Sequence, residues 1–271
     1  MHRAPARGTP VPRDDRESDM TDPAYLSTPQ GRRIAYRRTE GDGPGVIFLG
    51  GFKSDMKGTK AVALEDWAKR EGRAFLRFDY SGHGESDGEF TAGCIGDWAE
   101  DAEAAIEALT KGPQILVGSS MGGWISLLMT RRIPDRIAGL VTIAAAPDFT
   151  EDSMWAGFDE AQRTALEMVE QVALPSEYGE PYIITKKLIE DGRNHLLLRA
   201  PVPLPFPTRF LMGTADADVD LSVAHRLMDR ATGPDIRLTL VKGADHRFST
   251  PECLTLIEDM VMQVSAAIAE R

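Results

Sequence analysis

Short apolar runs punctuate this chain, and longer stretches of helical periodicity lie between them. The runs are Gly45-Val46-Ile47-Phe48-Leu49, Ala74-Phe75-Leu76-Arg77-Phe78, Gln114-Ile115-Leu116-Val117, Gly139-Leu140-Val141-Thr142-Ile143, Arg209-Phe210-Leu211-Met212 and Ile236-Arg237-Leu238-Thr239-Leu240. Each is bounded by turn residues, as expected of strands buried on both faces of a parallel sheet. The stretch from Ile34 to Arg38 predicts an antiparallel addition at the sheet edge.

The intervening segments predict helices. Ile95, Trp98, Ala102, Ala105, Ile106 and Leu109 share one face at a period of about 3.6 residues, with Gly112 as a stop. Ser249-Thr250-Pro251-Glu252 reads as a capping box with proline in the first turn. The helix it opens presents Cys253, Ile257, Val261, Val264 and Ile268 to the core. Strand and helix in alternation predict an α/β fold, a mostly parallel central sheet flanked by helices.

One region breaks the rhythm. From about 148 to 207 no clean strand is visible, and Met154, Trp155, Phe158, Leu166 and Tyr182 are spread through helical patterns. An insertion of this length between core strands is usually functional. It predicts a helical cap over the carboxyl ends of the strands, where ligands bind in open α/β sheets. Residues 23–271 then form a single domain with the cap inserted. Residues 1–22, rich in Arg and Pro and without an apolar run, predict a disordered tail. Met20 could serve as an alternative start.

Composition narrows the function. A net charge of −11, from 42 acidic and 31 basic side chains, argues against nucleic-acid binding, which needs a basic surface. No apolar run approaches the ~20 residues of a membrane span. The only two cysteines, Cys94 and Cys253, are far apart and fit free thiols in a reducing compartment, so a cytoplasmic location is expected.

The candidate chemistry lies in serines. Gly118-Ser119-Ser120-Met121-Gly122 and Gly84-Glu85-Ser86-Asp87-Gly88 both read G-x-S-x-G, so the pattern alone is a weak signal. A nucleophile elbow needs a strand entering a sharp turn and a helix leaving it. Only Ser120 has both, with Gln114 to Val117 before it and Gly123 to Met129 after it. Ser119 fails because position 117 is Val, and Ser86 sits in a loop rich in Gly and Asp.

A serine hydroxyl needs a base, and neutral His is the usual one at pH 7. Of five histidines, His246 follows the last predicted strand, whereas His2, His83, His195 and His225 read as surface or packing residues. Asp216, just after the strand that ends at Gly213, is the orienting carboxylate, with Asp218 as runner-up. The order Ser120, Asp216, His246 is that of the α/β-hydrolases. The oxyanion hole is expected from the backbone N–H of Met121 and of Phe52, with Gly50 and Gly51 allowing close approach. Gly51 and Trp124 are expected to contact substrate.

Longer segments carry a more specific resemblance. Phe52 to Ala61 (FKSDMKGTKA), Arg77 to Gly82 (RFDYSG), Gly112 to Trp124 (GPQILVGSSMGGW) and Asp245-His246-Arg247 resemble the branch of the α/β-hydrolase superfamily that holds the mitochondrial acyl-protein thioesterase and mycophenolic acid acyl-glucuronide esterase, with bacterial members. Where that family usually carries His-Gly, this chain has Gly50-Gly51. The resemblance implies cleavage of activated acyl groups, in S-acylated proteins, acyl glucuronides or simple esters, by Ser120, His246 and Asp216. No metal or cofactor is called for. The other readings are a C–C bond hydrolase, a cofactor-free haloperoxidase, or an inactive binding protein on the same fold. Epoxide hydrolase and haloalkane dehalogenase chemistry would need Asp at position 120.

Overall fold

The computed structural model describes residues 22–175 and 181–270. The expected amino-terminal tail therefore lies almost wholly outside the described residues. The chain opens with strands β1 (Ala24–Ser27), β2 (Arg33–Thr39) and β3 (Asp42–Leu49), then helix α1 (Thr59–Arg70), β4 (Arg73–Phe78) and α2 (Ile95–Leu109). Next come β5 (Gln114–Ser119), α3 (Met121–Arg132) and β6 (Ile137–Ile143). The insertion holds α4 (Glu160–Val169), β7 (Gln171–Leu174), β8 (Tyr182–Thr185), α5 (Lys186–Arg193) and β9 (Val202–Pro203). The sheet resumes with β10 (Thr208–Gly213), followed by α6 (Leu221–Arg230), β11 (Ala231–Thr232), β12 (Ile236–Val241) and α7 (Pro251–Ala269).

Eight strands form the main sheet in the order β1-β2-β4-β3-β5-β6-β10-β12. β1 pairs antiparallel with β2, and β2 with β4. Every pairing from β4 to β12 is parallel. All the strands expected from the apolar runs are present, including the antiparallel edge.

The strand period of two sorts side chains between two layers. Val46 and Phe48 of β3, and Ile115 and Val117 of β5, face Ala61, Leu64 and Trp67 of α1 and Ile257, Val261 and Val264 of α7. Ile47, Leu49 and Leu116, the residues between, face Trp98, Ala102 and Ile106 of α2 and Leu127 and Leu128 of α3. Both layers are needed because each strand is apolar on both faces. α7 starts one residue later than the capping box implied. Thr250 is its N-cap, the Thr250 hydroxyl accepts from Cys253 N, and Pro251 occupies the first helical position.

The insertion differs from the expected all-helical cap. β7 and β8 form an antiparallel hairpin, with Val172 opposite Ile184. These strands are only four residues long and bury little beyond Val172 and Ile184, so they lack the buried run that marked the core strands. The insertion begins at Asp148, a buried residue with φ +63°. Its carboxylate accepts from Leu197 N and Leu198 N, which ties the start of the insertion to its return.

Candidate active site

The turn after β5 is a strained elbow. Ser120 has φ 55° and ψ −118°, a region that non-glycine residues occupy only when their surroundings enforce it. Here they do. Ser120 N donates to Ile143 O at 2.9 Å, and Ser120 O accepts from Gly123 N at 2.9 Å and Ala146 N at 3.1 Å. The flanking glycines make room: a Cβ on Gly118 would run into the Gly122 carbonyl, and one on Gly122 into the Leu49 carbonyl. The turn thus holds the Ser120 hydroxyl clear of the sheet at the start of α3.

Two loops from the carboxyl end of the sheet meet that hydroxyl. His246, after β12, places Nε2 3.1 Å from Ser120 Oγ, where it can accept the hydroxyl proton. Its Nδ1 donates to Asp216 Oδ2 at 2.8 Å. Asp216 Oδ1 accepts from Asp218 N at 2.9 Å and Val219 N at 2.8 Å. Both oxygens are therefore committed, and the Asp216 side chain is 1% exposed. A buried carboxylate so held can fix one imidazole tautomer and stabilise an imidazolium. Asp218 and His246 also bring potential metal-ligand atoms near Asp216, all within 4.8 Å of one another. In the structure Asp216 directs its oxygens to the turn and the imidazole.

The loop after β3 supplies the other wall. A Cβ on Gly51 would stand 3.3 Å from Ser120 Cβ, so the backbone there lies directly against the serine. The N–H of Met121 heads α3, where no intrahelical acceptor exists. Ser120, Met121, Gly51, Phe52 and His246 all line one cavity of about 720 Å³. This is within the ~300–1,000 Å³ typical of small-molecule sites. One part of its wall is apolar and includes cap residues: Phe52, Phe149, Met154, Tyr182 and Val219. Another part is polar: Ser54, Asp55, Thr59, Lys60 and Arg247.

Comparison with known proteins agrees with this fold. A family model described as the alpha/beta hydrolase fold matches residues 48–184. The mitochondrial palmitoyl-protein thioesterase ABHD10 of Rattus norvegicus is 36% identical over 248 residues, covering 89% of this chain and 83% of that protein. The chain belongs to the α/β-hydrolase family. Among solved structures, a hydrolase from Agrobacterium vitis S4 is 36% identical with a TM-score of 0.87, covering 90% of this chain and 98% of that one. Alpha/beta hydrolase domain-containing protein 10 from mouse is 34% identical with a TM-score of 0.84, covering 91% and 99%.

In this α/β-hydrolase the other candidate residues fall into structural places. The Ser86 hydroxyl donates to Asp79 O at 2.7 Å and accepts from Ala35 N at 2.8 Å, so it fastens a turn to β2. His83 is buried against Tyr80, Phe90 and Trp98, and burial lowers its pKa to about 4. His195 lies within 3.5 Å of Asp191 in the insertion, and His225 is exposed on α6. Asp218 is exposed and Asp220 caps α6, accepting from Ser222 N, while the turn itself is held by Asp216.

Trp124 is a correction. It is fully buried and absent from the cavity wall. Its indole N–H donates to His195 O at 3.1 Å and its ring meets Phe149 edge-on, so it supports the cap from below. α3 buries every residue from Met121 to Thr130, which left no exposed face by which the sequence could orient it.

The sequence also hid a clamp. Arg77 and Asp79 flank Phe78 at the end of β4 and reach the same residue of the cavity-wall segment. Arg77 Nη1 donates to Met56 O at 2.6 Å, and Asp79 Oδ1 accepts from Met56 N at 2.6 Å. Arg77 is itself paired with buried Glu65. Burial raises the Asp79 pKa to about 6 despite hydrogen bonds from Glu85 N and Met56 N. Its trace in the sequence is two charges beside an apolar strand, in the RFDYSG segment that carried the resemblance, with nothing to name Met56 as their partner.

Proposed function

We propose that this chain is a serine hydrolase of carboxylic esters and thioesters, working through an acyl-enzyme, with residues 23–271 as one domain carrying the cap. The observation that carries the reading is the Ser120–His246–Asp216 relay, with contacts of 3.1 Å and 2.8 Å, on a strained elbow beside a cavity. His246 Nε2 takes the hydroxyl proton as Ser120 Oγ attacks the acyl carbonyl. The N–H groups of Met121 and Phe52 hold the resulting oxyanion. Collapse breaks the bond to the alcohol or thiol, which leaves with the proton from His246. Water, deprotonated by His246, then attacks the acyl-Ser120 ester and releases the acid.

The acyl chain is taken to lie along the apolar wall of Phe149, Met154, Tyr182 and Val219. The leaving group is taken to lie toward Ser54, Thr59, Lys60 and Arg247. Relatives named palmitoyl-protein thioesterase support an S-acylated cysteine as one substrate class. No described helix is long and apolar enough to cross a membrane. A reducing, cytoplasmic compartment is part of the proposal, supported by two buried free thiols, Cys94 and Cys253. The mammalian relatives are mitochondrial by name, and fractionation of the native host decides the point.

The test is a hydrolysis panel on purified protein. It compares an S-palmitoyl peptide, short and long nitrophenyl esters and an aryl acyl glucuronide, with Ser120→Ala as control. Turnover that depends on Ser120 is expected, with preference for the S-palmitoyl peptide. Absence of such turnover on every substrate would refute the reading and favour C–C bond hydrolysis or a binding role.

A further inference from the structure

Phe52 faces two ways. In the proposed reaction its peptide N–H holds the oxyanion, while its ring sits in a cluster that spans core and cap. The ring meets Phe90 at 4.9 Å and Trp98 at 6.0 Å between centroids, both from the sheet-side framework. It meets Phe149 at 5.6 Å and Tyr182 at 6.0 Å, both from the insertion. All four contacts are edge-to-face, with interplanar angles of 77°, 76°, 72° and 80°. This is the favoured arrangement for aromatic pairs. The next residue repeats the link, because the Lys53 ammonium lies 5.3 Å from the Phe90 ring centroid and 5.1 Å from that of Tyr182.

The peptide that bears the donor has its rotation set from the core side. Gly51 O accepts from Ser54 Oγ at 2.9 Å and Ser54 N at 3.2 Å, which turns the opposite edge, the Phe52 N–H, away from Ser54. Those bonds do not fix its distance from Ser120. The Gly50 and Gly51 backbone abuts Gly122 and Ser120 on the sheet side, and the Phe52 ring anchors the same peptide on the side of the cap. Two of the four rings that grip this anchor belong to the cap.

We infer that Tyr182 is a positioning residue for the oxyanion hole: docked through Tyr182, the cap presses the Phe52 ring against Phe90 and Trp98 and holds the Phe52 N–H at its working distance. The inference rests on the proposed esterase reading. It makes the cap a determinant of rate, even for an acyl group too short to use the apolar wall. An oxyanion donor acts through preorganisation, and removing one outright costs ~10²–10³ in kcat. Loosening one by loss of its anchor should cost less, about tenfold.

The test uses nitrophenyl acetate and a trifluoromethyl ketone, which binds as a tetrahedral anion. Tyr182→Ala should lower kcat on the acetate about tenfold with KM within about threefold of wild type. It should weaken the ketone by about the same tenfold. Tyr182→Phe should restore both, because the ring and not the hydroxyl makes the contact. Met168→Ala, an exposed change on the same cap, should leave both untouched. Tyr182→Leu keeps bulk in the hairpin and gives the same readout if the alanine variant loses its fold. Unchanged kcat and ketone affinity in Tyr182→Ala or Tyr182→Leu, or an effect on KM alone, would overturn the inference while leaving the esterase reading intact. Absence of Ser120-dependent turnover in the wild type would overturn both.

Discussion

The chain spells the same five-residue pattern twice, and the two copies do opposite things. In Gly118 to Gly122 the serine has φ 55°, and among the described residues its hydroxyl hydrogen-bonds only with the imidazole of His246. In Gly84 to Gly88 the hydroxyl of Ser86 both donates and accepts within the scaffold, tying Asp79 O to Ala35 N. The glycines differ as well. Gly118 and Gly122 are forced by the approach of other backbone, whereas Gly84 has φ 47° and Gly88 φ 102°. In the proposed reading, what marks Ser120 as the nucleophile is the backbone that strains it and a hydroxyl not tied into the scaffold, rather than the pattern itself. The letters around it are a by-product.

The widest gap between the copies should appear in turnover. Ser120→Ala is expected to lower kcat by ~10⁴-fold or more, on the scale of triad removals, with an unchanged melting curve. Ser86→Ala should leave kcat within a few-fold. Steady-state kinetics on a nitrophenyl ester, with calorimetry, would separate them, and comparable losses in the two would erase the distinction. Next in size is the carboxylate. Asp216→Asn should cost ~10³–10⁴ in kcat, because the amide no longer selects the required imidazole tautomer. Asp218→Asn should cost less than about threefold, since its carboxylate is not what holds His246. The reverse ranking would exchange their roles.

The turn around Ser86 should show itself in stability rather than rate. Its two buried titratable groups pull in opposite directions. His83 has its pKa lowered to about 4 by burial, so its contribution is full above about 6.5 and is lost as pH falls toward 4. Asp79 has its pKa raised to about 6 by burial, so its contribution is full below about 4 and is lost as pH rises toward 6. Each shift corresponds to about 3 kcal/mol, and in the wild type they largely cancel. Single variants should unmask them. Between pH 7 and pH 4, His83→Phe should gain about 3 kcal/mol on the wild type, and Asp79→Asn should lose about as much. Denaturant unfolding at both pH values reads this, and parallel shifts in the two variants would contradict it. The smallest of these effects on stability is Ser86→Ala, which should cost ~1–2 kcal/mol for two scaffold hydrogen bonds left unmade.

Much of this is legible in the amino-acid sequence. The core strands announce themselves because both faces are buried, and Gln114 to Val117 leading into Gly118 marks the elbow by context. The cap hairpin is not legible, because Gln171 to Leu174 and Tyr182 to Thr185 are short and mostly half-covered. Trp124 misleads for the opposite reason, since its helix is buried all round and periodicity gives no direction. The clamp of Arg77 and Asp79 on Met56 is long-range pairing, which no local pattern encodes. Likewise, nothing near Phe52 in sequence says that Phe149 and Tyr182 will meet its ring.

The most direct test of the central claim is to ask which serine reacts. The protein is treated with a fluorophosphonate at about pH 7.5, near the working range of a neutral histidine base, then digested, and the modified peptide is sequenced by mass spectrometry. A single adduct on Ser120, absent in Ser120→Ala and retained in Ser86→Ala, is the predicted result. An adduct on Ser86, or no adduct on folded wild-type protein, would contradict the account.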